Sequence, residues 1–168
     1  MFAFRRMIIS LGLLFFAALP SHAEDAVRAK KPILTLSGAI SQTNSDSGYE
    51  FDMAMLEQLP QYSFTTSTPW FPEPHKFSGP LMRDILTKVG AQGETLTAIA
   101  LNDYKVSIPM DNSTRFNLIV ATHKDDKRMS VREKGPLFVI YPFDSDSETQ
   151  SQVYYDQSIW QLKAIHID

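Results

Sequence analysis

Short apolar runs separated by turn residues constrain the fold of this chain more than any other sequence feature. The runs are apolar throughout or alternate with polar residues, as strands of a partly buried sheet do. Two of them occupy residues 33–38 and 62–66, and five more follow Gly90, at 96–100, 104–108, 118–122, 137–141 and 159–167. The sequence therefore predicts a domain built mostly of β-strands.

Two segments have helical spacing instead. Residues 53–59 follow Asp52, a residue that favours the N-cap position, and end before Pro60. Residues 80–89 begin with proline, place apolar side chains on one face and end at Gly90. Strands interspersed with two helices predict a single α+β domain.

Three prolines lie within residues 67–75, at Pro69, Pro72 and Pro74. Proline lacks a donor N–H and fixes its own φ, so neither a helix nor a central strand is expected there. We predict a rigid, irregular loop that displays Trp70, Phe71 and His75.

The N-terminus resembles an export signal. Arg5 and Arg6 precede an apolar run at 7–19, and Ser21 and Ala23 are small residues at the positions that signal peptidase requires. The apolar run is short for a membrane span, which needs roughly 20 residues. We therefore expect a cleavable signal peptide at 1–23 and a periplasmic protein that does not insert in the membrane after cleavage. An uncleaved N-terminal anchor is the alternative.

Cleavage after Ala23 would leave 145 of the 168 residues, enough for one domain. We predict a flexible tether at 24–31 and a single domain at 32–168. Without the two signal-peptide arginines, 14 basic residues face 19 acidic ones, a net charge of −5, which does not suit nucleic acid. The chain has no cysteine, so disulfides and thiolate metal sites are excluded.

Four sequence words occur in a fixed order along the chain: TPW at 68–70 before FSGPLMRDIL at 77–86, then AIALNDY at 98–104 with IP at 108–109, then GPLFVIYP at 135–142, and finally WQLKAI at 160–165. In this order and spacing they resemble the molybdopterin-binding domain of sulfite-oxidase-like enzymes. The resemblance covers about 32–168 and implies the mixed, mostly β sulfite-oxidase fold.

Two departures from the family pattern change what the resemblance implies. In the enzymes a cysteine holds molybdenum on the strand before the glycine-led helix, whereas residues 64–68 here are Phe-Thr-Thr-Ser-Thr. The enzymes also bind the cofactor phosphate with basic residues before the last strand, whereas residues 142–159 here contain no lysine or arginine. We therefore expect no molybdenum, and an unphosphorylated pterin as the candidate ligand.

Small exported proteins of this fold bind pterins and report to membrane-bound signalling enzymes, and this chain is similar to them. The resemblance implies a periplasmic pterin-binding protein. Its partner would be the periplasmic part of a membrane signalling protein, with a cyclic-dinucleotide synthase or phosphodiesterase domain as a candidate.

Eight residues are candidates for ligand contact. Aromatic rings could stack on a flat heterocycle, polar side chains could bond its edge, and arginines could bind a ligand or partner carboxylate. The stacking candidates are Trp70 and Phe71; the hydrogen-bonding candidates are His75, Asn102 and Tyr104; the arginines are Arg115 and Arg132; and Tyr141 is expected at the pocket mouth. Each could instead have a purely structural role in the core, a turn or the solvated surface.

The sequence names no catalytic residue and no metal ligand set, because it has no nucleophile motif and no zinc spacing among its histidines. Two other functions stay open. One is a residual molybdopterin oxidoreductase with a hydroxyl ligand or none. The other is a ligand-free interaction module that binds its partner through the acidic segment 144–156.

Overall fold

A computed structural model describes residues 31–168. The predicted signal peptide and all but the last residue of the predicted tether lie outside the described residues. Between Lys31 and Asp168, no helix is both long enough and apolar enough to cross a membrane.

The described chain contains eleven strands and four α-helices. The strands are β1 (Leu34–Gly38), β2 (Tyr49–Phe51), β3 (Gln61–Thr68), β4 (Phe71–Pro80), β5 (Thr95–Ala100), β6 (Lys105–Pro109), β7 (Ile119–Ala121), β8 (His123–Lys124), β9 (Lys127–Arg128), β10 (Phe138–Ile140) and β11 (Leu162–Ile167). The helices are α1 (Met53–Gln58), α2 (Met82–Val89), α3 (Asn112–Arg115) and α4 (Gln152–Gln157). Short 3₁₀ turns cover Val131–Glu133 and Ser147–Thr149.

The largest sheet has five strands in the order β2-β1-β11-β5-β6. The last strand, β11, lies in its middle, parallel to β1 and antiparallel to β5. Along β5, Leu96, Ala98 and Ala100 are buried and the residues between them are half-buried, so one face of the sheet lies on the core.

Smaller sheets complete the domain. Strands β3-β4-β8-β9 form one, and β7 and β10 form another. The domain is thus mixed α+β, mostly strands, as the sequence predicted.

The predicted irregular loop at 67–75 is wrong, because most of it belongs to the hairpin of β3 and β4. The pairing of these strands shifts between Thr66 and Thr68, and Pro72 and Pro74 have no partner in the register on β3. Strand β8 pairs with β4 only at Phe77 and Ser78, so the prolines lie where β4 is an edge. On an edge strand, the missing N–H of a proline removes no hydrogen bond between strands.

Both predicted helices are confirmed. The Asp52 side chain caps α1 by accepting a bond of 2.8 Å from the Met55 N–H. Helix α2 buries four apolar side chains (Met82, Ile85, Leu86 and Val89) and ends at Gly90, whose φ of 61° is left-handed.

The segment after Tyr141 differs from its prediction. Residues 144–148 are exposed as expected, but a 3₁₀ turn buries Thr149 and helix α4 follows, which the sequence analysis did not predict. The strand expected at 159–167 begins only at Leu162, because Gln161 has a φ of 54° that breaks the extended conformation.

Gly79 brings strand β4 against β7. A Cβ at this position would overlap the Val120 carbonyl oxygen, so no other residue fits without a backbone shift. This close approach joins the four-stranded sheet to the core.

We predict that Gly79→Ala lowers the free energy of unfolding by about 1–3 kcal/mol, since the added methyl group must displace backbone. Urea unfolding of the purified protein measures it. Ser78→Ala, next to it on β4, adds no atoms and is the control. Equal stability of the two variants would contradict the close approach.

Candidate ligand-binding site

A cavity of about 610 Å³ opens between three parts of the chain. They are the β3–β4 turn, the β5–β6 turn and the segment from α4 to Trp160. The lining residues are Pro69, Trp70, Ala100, Asn102, Tyr104, Gln152, Tyr155, Asp156, Ser158, Ile159 and Trp160. Its volume lies in the range typical of small-molecule sites, about 300–1,000 Å³.

Aromatic rings form much of the lining. Trp70 packs edge-to-face on Trp160, with ring centroids 5.6 Å apart, and on Tyr155, at 6.1 Å. Trp70 also packs edge-to-face on the buried Phe138, with ring centroids 5.6 Å apart. Because Trp70 is anchored in the core and also lines the cavity, it holds this wall in a fixed position.

Trp160 also takes part in a cation–π contact. The Lys134 ammonium lies 3.8 Å from the centroid of the indole ring. Burial lowers the pKa of Lys134, and the nearby Lys124 ammonium lowers it further. Lys134 does not line the cavity, so its contact supports Trp160 from outside.

The β5–β6 turn presents hydrogen-bonding groups. The Asn102 Oδ1 accepts a bond of 3.2 Å from the Tyr104 N–H, which leaves the Asn102 amide N–H groups for a ligand. Asp103 adopts a left-handed φ of 67°, and Lys163 donates to its carboxylate at 2.6 Å. The hydrogen bond from Lys163 holds the pKa of Asp103 below its usual value. The Tyr104 side chain is 53% exposed at the cavity edge.

Three buried polar side chains hold helix α4 in place. The Tyr141 hydroxyl donates to Gln157 Oε1 at 2.8 Å, and the Asn112 amide donates to both, at 3.0 Å each. Burial raises the pKa of Tyr141, so the phenol stays protonated as a donor. The network joins the chain after β10 to α3 and α4, and α4 then places Tyr155 and Asp156 at the cavity.

Asp156 is the one charged side chain among the lining residues. The Gln152 amide, one helical turn earlier, donates to Asp156 Oδ1 at 2.6 Å. This i, i+4 bond orients the carboxylate on the surface of α4. The cavity therefore combines aromatic walls with a single negative charge.

Three of the eight candidate residues line this cavity: Trp70, Asn102 and Tyr104. Phe71 and His75 do not, although they follow Trp70 on strand β4. Their rings pack on each other at 4.9 Å, and the His75 Nδ1 lies 2.7 Å from an Asp125 carboxylate oxygen. The Lys124 ammonium lies 4.5 Å from the centroid of the Phe71 ring.

The other three candidates lie elsewhere. Arg115 is paired with Glu148, its Nη2 being 2.9 Å from one carboxylate oxygen. Arg132 is exposed on a 3₁₀ turn and forms no ion pair within 31–168. Tyr141 is fully buried, so its expected place at a pocket mouth is wrong. Tyr141 directly follows strand β10, whose three residues are all buried, and its own side chain continues into the core.

Sequence reasoning did not name the other eight lining residues, which include the aromatic, amide and charged side chains of Trp160, Gln152, Tyr155 and Asp156. Trp160 lies in the last of the four sequence words, which could have identified it. Gln152, Tyr155 and Asp156 lie on α4, whose sequence QVYYDQ has no apolar spacing to reveal a helix. Only the fold brings these residues to the same cavity as Trp70.

Comparisons by sequence find no relative of the chain: no protein-family model matches it, and no curated protein does. Among solved structures, the crystal structure of the sulfane dehydrogenase SoxCD from Paracoccus pantotrophus is similar, with a TM-score of 0.61 and 14% sequence identity. The chain shares its fold with part of that enzyme. The match covers 80% of this chain and 37% of SoxCD, and at this identity it shows the fold alone. It supports the sulfite-oxidase fold that the sequence words predicted.

The molybdenum cofactor implied by the sequence resemblance does not fit the residues present. Within 64–68, where the resemblance would place the metal-ligating cysteine, the Thr66 hydroxyl accepts the Asp144 N–H at 3.1 Å, and Ser67 donates its N–H to the Asp144 carboxylate. The hydroxyls of threonine and serine are hard, weak ligands compared with a thiolate. The cavity lining contains no lysine or arginine for a phosphate. Among residues 31–168, no three His, Cys, Asp or Glu side chains are grouped as metal ligands.

We predict that Tyr141→Phe lowers the free energy of unfolding by about 1–3 kcal/mol, because the buried Asn112 amide and the buried Gln157 Oε1 each lose one hydrogen bond and keep only the bond between them. Urea denaturation measures the change. Tyr62→Phe is the control, since the Tyr62 hydroxyl bonds only Asn117, at the surface. Wild-type stability of Tyr141→Phe would show that the network does not hold α4.

Proposed function

We propose that this chain is a periplasmic pterin-binding protein without molybdenum chemistry, and that it modulates a membrane-bound signalling partner. The observation that carries the proposal is the cavity, whose lining includes the aromatic side chains of Trp70, Tyr155 and Trp160. A flat ring bound in this cavity could contact all three. Flat heterocycles bind well to such rings, since offset or edge-to-face arrangements contribute roughly 0.5–1.5 kcal/mol beyond burial.

The charge of the lining favours an unphosphorylated ligand. Asp156 is negative, and no lining side chain is positive. A phosphate group in the cavity would meet the like charge of Asp156, and no lysine or arginine of the lining would offset that repulsion. A pterin without a phosphate avoids that repulsion.

The periplasmic location rests on the N-terminal sequence of basic residues, apolar run and small residues at 21–23. The signalling partner rests on the resemblance to exported pterin-binding proteins. A neighbouring gene for a membrane protein with a cyclic-dinucleotide synthase or phosphodiesterase domain would support this partner. Co-purification from membranes, with mass spectrometry of the bound protein and of any small molecule, tests it directly.

Intrinsic fluorescence tests ligand binding. The chain has two tryptophans, Trp70 and Trp160, and both line the cavity. A pterin bound against these two rings should quench their emission in a saturable manner. Absence of saturable quenching and of any change in melting temperature, with both oxidised and reduced pterins, would reject the proposed function.

We predict that Trp160→Ala raises the pterin dissociation constant about 5- to 30-fold, because one wall of the cavity is lost. Isothermal titration calorimetry measures the affinity without relying on tryptophan emission. Tyr62→Ala is a matched control, since Tyr62 and Trp160 are both 37% exposed and Tyr62 does not line the cavity. Equal losses in the two variants would argue against ligand contact at Trp160.

Metal analysis distinguishes the proposal from a residual molybdoenzyme. The shared fold with part of a sulfane dehydrogenase is the observation that favours this second candidate. Protein isolated from the periplasm with stoichiometric molybdenum would support the enzyme. Bound pterin without molybdenum would support the binding protein.

The contacts of the acidic segment 144–156 argue against the third candidate function, a ligand-free interaction module that binds its partner through this segment. Asp144 accepts the Ser67 N–H, Asp146 caps the 3₁₀ turn at Glu148 N, and Glu148 pairs with Arg115. These carboxylates already have partners inside the domain. Neutralising them should therefore reduce stability more than partner binding.

A further inference from the structure

We infer that Asp156 selects the ligand of this cavity by accepting two adjacent N–H groups from one edge of a flat ring. This inference rests on the proposed function and specifies the chemical class of the ligand. A pterin has such an edge, formed by its 2-amino group and the neighbouring ring N3–H. Guanine carries the same donor pair.

The chemistry of the lining points to this edge. Asp156 is the one charged side chain there, and a carboxylate offers only acceptors. Two parallel N–H···O bonds to a carboxylate form a bidentate, charge-assisted pair, which is stronger and more directional than a neutral bond. A ring that turns a carbonyl oxygen toward Asp156 would place acceptor against acceptor.

The carboxylate is also oriented before a ligand arrives. Gln152 donates to one of its oxygens at 2.6 Å, along the same helix. The next residue, Gln157, belongs to the buried network with Tyr141, which fixes that end of α4. The Asp156 carboxylate, oriented by Gln152 on a helix whose end is fixed, loses less freedom on binding than a free side chain would.

The opposite edge of the ring would meet donors. The Asn102 Oδ1 already accepts one bond, from the Tyr104 N–H, which turns the amide N–H groups of Asn102 toward a ligand as its donors. These suit the carbonyl or ring-nitrogen acceptors of a pterin. The cavity thus presents one acceptor group on α4 and donors on the β5–β6 turn.

Lumazine provides the sharpest test, because it is a pterin with an oxo group in place of the 2-amino group. Wild-type protein should bind pterin at least 10-fold more tightly than lumazine, since hydrogen bonds to charged groups contribute roughly 1.5–3 kcal/mol. Asp156→Asn replaces one acceptor by a donor of the same size. It should weaken pterin binding about 10- to 100-fold and bring lumazine affinity up to or above that of pterin.

A merely structural role for Asp156 would not exchange the preference between two rings of the same shape. Glu73→Gln is the control: it removes the same charge from an exposed residue of β4 that lies away from the cavity. It should leave both affinities unchanged. Melting temperatures of both variants verify that they fold.

The outcomes separate this inference from the proposed function. Pterin binding with wild-type affinity in Asp156→Asn, or equal pterin and lumazine binding in the wild type, overturns the inference and leaves pterin binding intact. Guanosine bound more tightly than any pterin, with the same loss in Asp156→Asn, supports the donor-edge selection and overturns the pterin. Binding of none of these rings overturns both.

Discussion

The packing around Trp70 joins the parts of the chain on which the cavity depends. Its indole lies in the β3–β4 turn, packs on Phe138 of β10 and contacts Tyr155 and Trp160 from the C-terminal third of the chain. These residues are far apart in sequence, so their contacts exist only when the whole domain is folded. Since the same ring lines the cavity, stability and ligand binding depend on one group, and Trp160 is the cleaner residue for separating them.

Helix α4 depends on a different interaction, the buried hydrogen bonds of Tyr141, Asn112 and Gln157. A short helix without apolar periodicity gains little stability by itself. Its position is determined by polar groups that have no water to bond with and must therefore bond each other. This explains how a hydrophilic segment such as QVYYDQ comes to form one wall of a site, and why Asp156 keeps a defined orientation there.

The fold resembles the sulfite-oxidase fold, whereas the side chains of the cavity do not suit the molybdenum cofactor. The architecture is shared with part of a sulfane dehydrogenase, yet the chain has no cysteine and its cavity has a carboxylate without any basic side chain. A fold can be retained while its site changes, because packing and site chemistry depend on different residues. Thr66 and Ser67 lie in the stretch where the sequence resemblance would place a metal-ligating cysteine. Both bond Asp144, whose N–H donates to the Thr66 hydroxyl and whose carboxylate accepts the Ser67 N–H.

The sequence alone determined the mostly β domain, the helices at α1 and α2 and the absence of thiolate chemistry, because these follow from local spacing, caps and composition. It also named Trp70, Asn102 and Tyr104, which lie near recognisable words. It could not show that Tyr141 is buried, that prolines lie in the edge strand β4, or that α4 exists. Those features depend on which segments pair and pack across the domain. Only the tertiary structure placed Asp156 in the same cavity as Trp70, since no local pattern brings together residues 86 positions apart.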